Sequence, residues 1–287
     1  MVSATITTTV EQPDPSKQLA SFYYGFEILL TVVVTLEALF FAGYICRASG
    51  TMKTIRTQKN LLLFVMILCE AGYFLSSAEY DAAEVGSIGL KAASIFQAVC
   101  FAVMLIFYLW YSWLRSVLVF EQNYSARALK IVHVLLWVAT GITLIPPLIE
   151  VLPLDRDTYF AVFTLAMGAS AVVVLIVDTF YGVCYLQHLF RKTAEVVEAK
   201  GEDAAIVTTY FQIIAKYGAA ATFFSFAALG TFAGSSYMQI NKPTEISDKI
   251  AVVLVILLNH IMIASVGLSL ILMKVRLIAT RRLNDDD

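Results

Sequence analysis

Glu37, Glu70, Asn259 and His260 all stand inside long apolar stretches of the sequence. An ionisable or amide side chain in such surroundings is costly. It turns toward other polar groups and acts as a proton site, a switch or a packing bond. Counted from the expected ends of their stretches, all four fall near mid-depth. Glu27 lies in the first third of the first stretch, and Arg115, Asp178 and Lys216 lie toward the opposite side of the third, fifth and sixth. A buried Asp is tolerable when paired. Asp178 therefore either forms an ion pair with Arg115 or Lys216, a lock released when the fifth and sixth helices move, or is capped by neighbouring hydroxyls while the two cations snorkel to headgroups. Tyr23, Tyr24, Glu27, Tyr73 and Gln97, with Tyr80 and Tyr159, cluster toward the other side. They form either an interfacial aromatic belt or a small ligand pocket.

Other chemistries lack their residues. A retinal pigment needs a lysine at mid-membrane, and Lys249 and Lys274 stand only at the ends of the last stretch, with Lys216 near one side of the sixth. His133, His188 and His260 do not form an i, i+4 pair, and neither H-E-x-x-H nor G-x-S-x-G occurs. We expect no enzymatic activity, no metal and no cofactor. Cys46, Cys69, Cys100 and Cys184 all fall in apolar stretches, as small buried hydrophobes rather than disulfide partners.

The elements that must position these groups are membrane helices. The 287 residues are 59% hydrophobic and only 15% charged, with a mean hydropathy of +0.77, against about a quarter charged in soluble proteins. This excludes a cytosolic enzyme, a secreted disulfide scaffold and a nucleic-acid binder. A net charge of −2 adds no electrostatic bias. A bilayer core needs about 20 apolar residues per helix, and seven blocks qualify: 21–46, 61–80, 92–120, 131–152, 159–189, 209–235 and 249–276. The expected fold is an all-α seven-transmembrane bundle at 21–276, with a short polar tail at 1–20 and another at 277–287. The first tail has no basic region leading into an apolar one, so the first span serves as the insertion signal.

Pro146 and Pro147 should kink the fourth span. The aromatic run 107–113 in the third span reads mainly as packing. Helices five and six extend past the membrane with a turn near Gly201, and the small residues at 218–221 and 227–230 suit close packing against a helix or a second protomer.

With the N-terminus outside, the inner segments carry Arg47, Lys53, Arg56, Lys59, Arg127, Lys130, Arg191, Lys192, Lys200, Lys274, Arg276, Arg281 and Arg282, whereas the outer ones carry Lys17, Lys91, Arg156, Lys242 and Lys249. The positive-inside rule then places the C-terminus in the cytoplasm. The sequon Asn123-Tyr124-Ser125 falls in an inner loop and should stay unmodified.

Seven spans with an outer N-terminus and short loops resemble a receptor of the G-protein-coupled type. The third span ends Trp113-Leu114-Arg115-Ser116 instead of Asp-Arg-Tyr, and Asn-Pro-x-x-Tyr is missing from the seventh. The resemblance therefore rests on topology and on Arg115 as an analogue of the inner-face arginine. Thr57-Gln58-Lys59 before the second span, the aromatic third span ending near Arg115, and Phe180-Tyr181-Gly182 in the fifth are similar to the tobamovirus multiplication protein family and its receptor-like relatives. Where that family carries a basic residue in the second span, this chain has Glu70. This second resemblance implies an endomembrane scaffold that recruits small GTPases or other partners.

Three functions are thus open. A receptor-like signalling protein would couple an outer ligand or a membrane state to a G protein or small GTPase at the inner loops. A scaffold would recruit GTPases or trafficking factors at a vacuolar or lysosomal membrane, and a proton-coupled carrier or channel would use Glu37 and Glu70. The basic inner patches also suit anionic lipid. The plasma membrane fits the first of these, and oligomers are compatible with all three.

Overall fold

A computed structural model describes residues 15–49, 57–82, 87–199, 202–240 and 245–285. Its elements are all helices: α1 (Pro15–Ser49), α2 (Gln58–Ala82), α3 (Ile88–Asn123), α4 (Ala126–Thr143), α5 (Ile145–Val151), α6 (Arg156–Ala199), α7 (Glu202–Ile240) and α8 (Ile246–Asp285). Seven spans are long and apolar enough to cross a membrane, and α4 with α5 makes the fourth, Ala126–Val151. These spans overlie the seven expected blocks. An odd number of crossings puts the two ends of the chain on opposite faces, called here the N-terminal and C-terminal faces.

Local sequence sets the helix ends. Ser87 and Ser125 cap α3 and α4 by accepting from the backbone N–H of Leu90 and Ala128. Asp155 accepts from the N–H of Thr158 at the start of α6. The expected kink appears as a break at Leu144, with prolines at the start of α5, where a missing N–H costs least.

Helix α1 starts at Pro15, inside the expected polar tail, because proline's fixed φ suits a first helical turn. Helix α8 likewise runs on through the expected C-terminal tail to Asp285. Helices α6 and α7 extend toward each other past the membrane, while Gly201, the expected turn, lies outside the described residues.

The helices pack in a ring. α1 lies against α2 and α8, α2 against α3, α6 against α7, and α7 most extensively against α8, with α3 crossing to α6 and α4 on the flank of α3 and α6. Of the α7 glycines, a Cβ on Gly234 would meet Val255 of α8 at 3.9 Å, one on Gly218 would meet Arg115 of α3 at 3.5 Å, and one on Gly230 would meet nothing within 4 Å. Phe41, Phe74, Leu109, Phe120, Tyr181 and Leu270 fill the interior. The outward faces are apolar as well. On α4, Val132, Leu136 and Ala139 are buried while Ile131, Val134 and Val138 are exposed. A helix apolar on every side belongs in hydrocarbon, not water.

Candidate functional site

The polar residues meet in three places along the bundle. The first lies toward the N-terminal face and is centred on His260 of α8, 3% exposed. Its Nδ1 is 2.6 Å from Oε1 of Glu27 on α1, and its Nε2 is 3.2 Å from the hydroxyl of Tyr73 on α2. With the proton on Nδ1, the imidazole donates to the carboxylate and accepts from the phenol. Phe74 and Tyr73 flank the ring at centroid distances of 5.4 Å, and beside it Tyr23 and Ser77 share a hydroxyl contact of 3.3 Å. One side chain thus ties three helices.

A cavity of about 290 Å³ opens over this group, lined by Tyr23, Tyr73, Ser77, Gln97, Ser235 and His260 among others. Three of the candidate ligand residues, Tyr23, Tyr73 and Gln97, therefore line one space. Glu27 is fully buried and bonded to His260, and Tyr24 is exposed.

The second place is mid-bundle. Glu70 of α2 is 2% exposed, and its Oε1 has no hydrogen-bond partner among the described residues. Its carboxyl lies against Gly267 on α8: a Cβ there would lie 2.6 Å from Oε2, so the end of the Glu70 side chain would have to shift. A cavity of about 100 Å³ adjoins it and reaches Asp178. Asn259 also lines this cavity and accepts from Thr231 on α7 at 3.1 Å. Glu37 is half-buried on α1. The four mid-depth residues thus divide, with His260 turning to Glu27 and Tyr73 while Glu70 and Asn259 share the mid-bundle cavity.

The third place surrounds Asp178 of α6, 1% exposed. Tyr108 donates to its Oδ2 at 2.7 Å, Ser112 to Oδ1 at 2.8 Å, and Thr222 of α7 to Oδ2 at 3.3 Å. Of the two arrangements the sequence allows, this is the hydroxyl cap and not the ion-pair lock. Lys216 is exposed, its ammonium 6.0 Å from the Tyr217 ring centroid. Arg115 lines a separate cavity of about 210 Å³ with Thr179, Gly218 and Thr222, its Nη1 4.0 Å from the Met273 sulfur. Tyr108, Ser112 and Arg115 stand at i, i+4 and i+7 of one helix face. That spacing signals the cap within a run that reads as packing by composition.

Sequence reasoning also missed a polar staple at the N-terminal face. Glu150 of α5, 6% exposed, accepts from Ser94 of α3 at 2.7 Å and from the hydroxyl of Tyr159 on α6. Burial, and then the bond to Glu150, raise the Tyr159 phenol above its ordinary range. Among the described residues no three His, Cys, Asp or Glu side chains converge on a point that would hold a metal ion, and none of the four cysteines is in a disulfide.

No protein-family model matches the chain, and no curated protein is significantly similar to it.

Proposed function

We propose that this chain is a receptor-like signalling protein of a membrane. A small ligand held in the cavity at the N-terminal face would be sensed by His260 and passed to the opposite face by movement of α8 against α1 and α2. One observation carries this reading: His260 lines the cavity and simultaneously bonds Glu27 of α1 and Tyr73 of α2. A ligand that competes for any of these bonds changes the relative stability of two helix arrangements, and that differential interaction is what a receptor requires. The positive-inside bias puts the cavity outside and the basic segments, with Arg127, Lys130 and Arg191, inside. A G protein or small GTPase is the partner those segments would meet.

The test is purification of the tagged chain in mild detergent from its own cells, with identification of what accompanies it. A heterotrimeric G-protein subunit released by guanine nucleotide supports the receptor. Small GTPases or trafficking factors without nucleotide release support the scaffold instead.

A second reading, a proton-coupled carrier, is favoured by the buried Glu70 carboxyl, whose Oε1 has no partner among the described residues, beside the mid-bundle cavity. It requires pH-driven solute flux in liposomes that is lost in Glu70→Gln, and absence of such flux removes it.

A further inference from the structure

We infer that the mid-bundle cavity between α2, α3, α6, α7 and α8 is a binding site for a small organic cation, an ammonium on an apolar body, with Glu70 as its counter-ion. This site adjoins the His260 group, with which it shares Tyr73, and holds under either functional reading.

The cavity measures about 100 Å³. That is smaller than an engineered apolar cavity of roughly 150 Å³ that takes up benzene, so the occupant has about four to six non-hydrogen atoms. Its wall is mainly carbon. Tyr73, Phe101, Tyr108 and Phe232 present aromatic rings, and Met66, Met104 and Met167 supply adaptable thioethers. Against this wall stands a carboxyl that is 2% exposed and has one oxygen with no partner among the described residues. Such a group is expensive to bury unless it holds a proton or faces a cation. Gly267 keeps room for it, because a Cβ there would meet Oε2 at 2.6 Å.

The chemistry selects the kind of cation. A hard metal ion needs six or so oxygen ligands, but the other carboxylate at the cavity, Asp178, already accepts from Tyr108, Ser112 and Thr222. An ammonium needs one carboxylate and gains from aromatic faces. The entrance is also defined: Tyr73, Met167, Phe232 and Asn259 line both this cavity and the larger one at the N-terminal face. A ligand reaches Glu70 by passing them.

The titratable groups that face Glu70 are Glu37 of α1, Tyr73 of α2, Tyr108 of α3 and Asp178 of α6, while α7 and α8 bring Ser225 and Asn259. All of these groups are acids or neutral. No cation stands among them, and a lone buried carboxylate is costly, so the exchange is written from the neutral acid. On entry of R–NH3+ the carboxyl O–H bond breaks, its proton leaves to solvent, and the carboxylate pairs with the ammonium. One cation enters and one proton leaves, with no change of oxidation state.

The experiment is isothermal titration of the full chain in nanodiscs of uncharged phosphatidylcholine with butylammonium chloride, 1-butanol and sodium chloride. Each titration is run in two buffers of different ionisation heat. Butylammonium should bind saturably, about tenfold or more tighter than 1-butanol, with release of about one proton. Glu70→Gln should remove the preference for the cation and the proton release while leaving 1-butanol binding unchanged. Ala228→Leu, which fills the cavity, should abolish both and decides the matter even if the Glu70 variant fails to fold. Equal affinity for amine and alcohol, amine binding unchanged in Glu70→Gln, no saturable binding, or saturable sodium binding in place of the amine would each overturn the proposal.

Discussion

His260 shows how much of this bundle's stability rests on single side chains. Its two nitrogens satisfy Glu27 and Tyr73 on two other helices. Removal would leave the Glu27 carboxyl wholly buried and without its imidazole. Breaking such a pair by deleting one partner costs about 3 kcal/mol or more, whereas exchanging a charged acceptor for a neutral one of the same shape costs much less. In thermal unfolding, His260→Ala should therefore be destabilised by about 3 kcal/mol, and Glu27→Gln by under about 1 kcal/mol. Equal losses would mean that the pair is not the support described. Depth explains why the pair escapes a sequence reading. From the midpoints of spans Lys17–Arg47 and Ile246–Thr280, Glu27 and His260 lie about 7 Å and about 5 Å toward the N-terminal face at 1.5 Å per residue. Their levels can be counted from the chain, but the rotation of each helix about its axis cannot. A coarse mid-depth grouping joins His260 to Glu37, but Glu37 lies about 7 Å to the other side of the first span's midpoint, so the counted levels separate the two.

Between helices, close approach and polar staples do the positioning. α2 and α8 meet where Gly267 leaves space for the Glu70 carboxyl. Because only the end of the Glu70 side chain must shift and Ala favours the helix by about 0.5–1 kcal/mol, Gly267→Ala should lower stability by at most about 1 kcal/mol, and in a Glu70→Ala background it should stabilise. A double-mutant cycle by thermal unfolding measures the coupling, and additive losses would rule out the contact as the cause. The staple of Ser94, Glu150 and Tyr159 joins α3, α5 and α6. The Tyr159 phenol is raised by burial and by Glu150, so the folded state favours its neutral form. That contribution is whole below about pH 10, the ordinary tyrosine value, and is lost as pH rises beyond it. The unfolding temperature of the wild type should thus fall more steeply above about pH 10 than that of Tyr159→Phe. At neutral pH the variant should be weaker by about 1 kcal/mol, the discounted end of a charged hydrogen bond because the ring is half-exposed. The elements themselves were legible, since apolar runs of bilayer length and a proline pair have few other outcomes. Ser94, Glu150 and Tyr159 were not, because they stand far apart in sequence at the ends of three different elements.

For the whole molecule the governing question is which face looks outward, because the cavity over His260 receives an external ligand only if the N-terminal face is outside. Seven crossings would put the first and last described helix ends on opposite faces, and the charge bias favours one of the two insertions. The two choices expose different asparagines to the glycosylation machinery. Asn123 ends α3, with Tyr124 and Ser125 leading into α4 on the C-terminal face. In the natural chain it should carry no glycan. Thr5→Asn places a second sequon in the polar N-terminal segment, upstream of Ile6 and Thr7. Expressed in cells that insert membrane proteins at the endoplasmic reticulum, this variant should gain one endoglycosidase-sensitive mass step. Replacing Asn123 with Gln in the same chain should change nothing. The reverse pattern, a glycan on Asn123 and none at the new site, would turn the molecule over. The His260 cavity would then open to the cytoplasm and Arg115, with the basic segments, would face outward. An extracellular ligand for this cavity would no longer be possible.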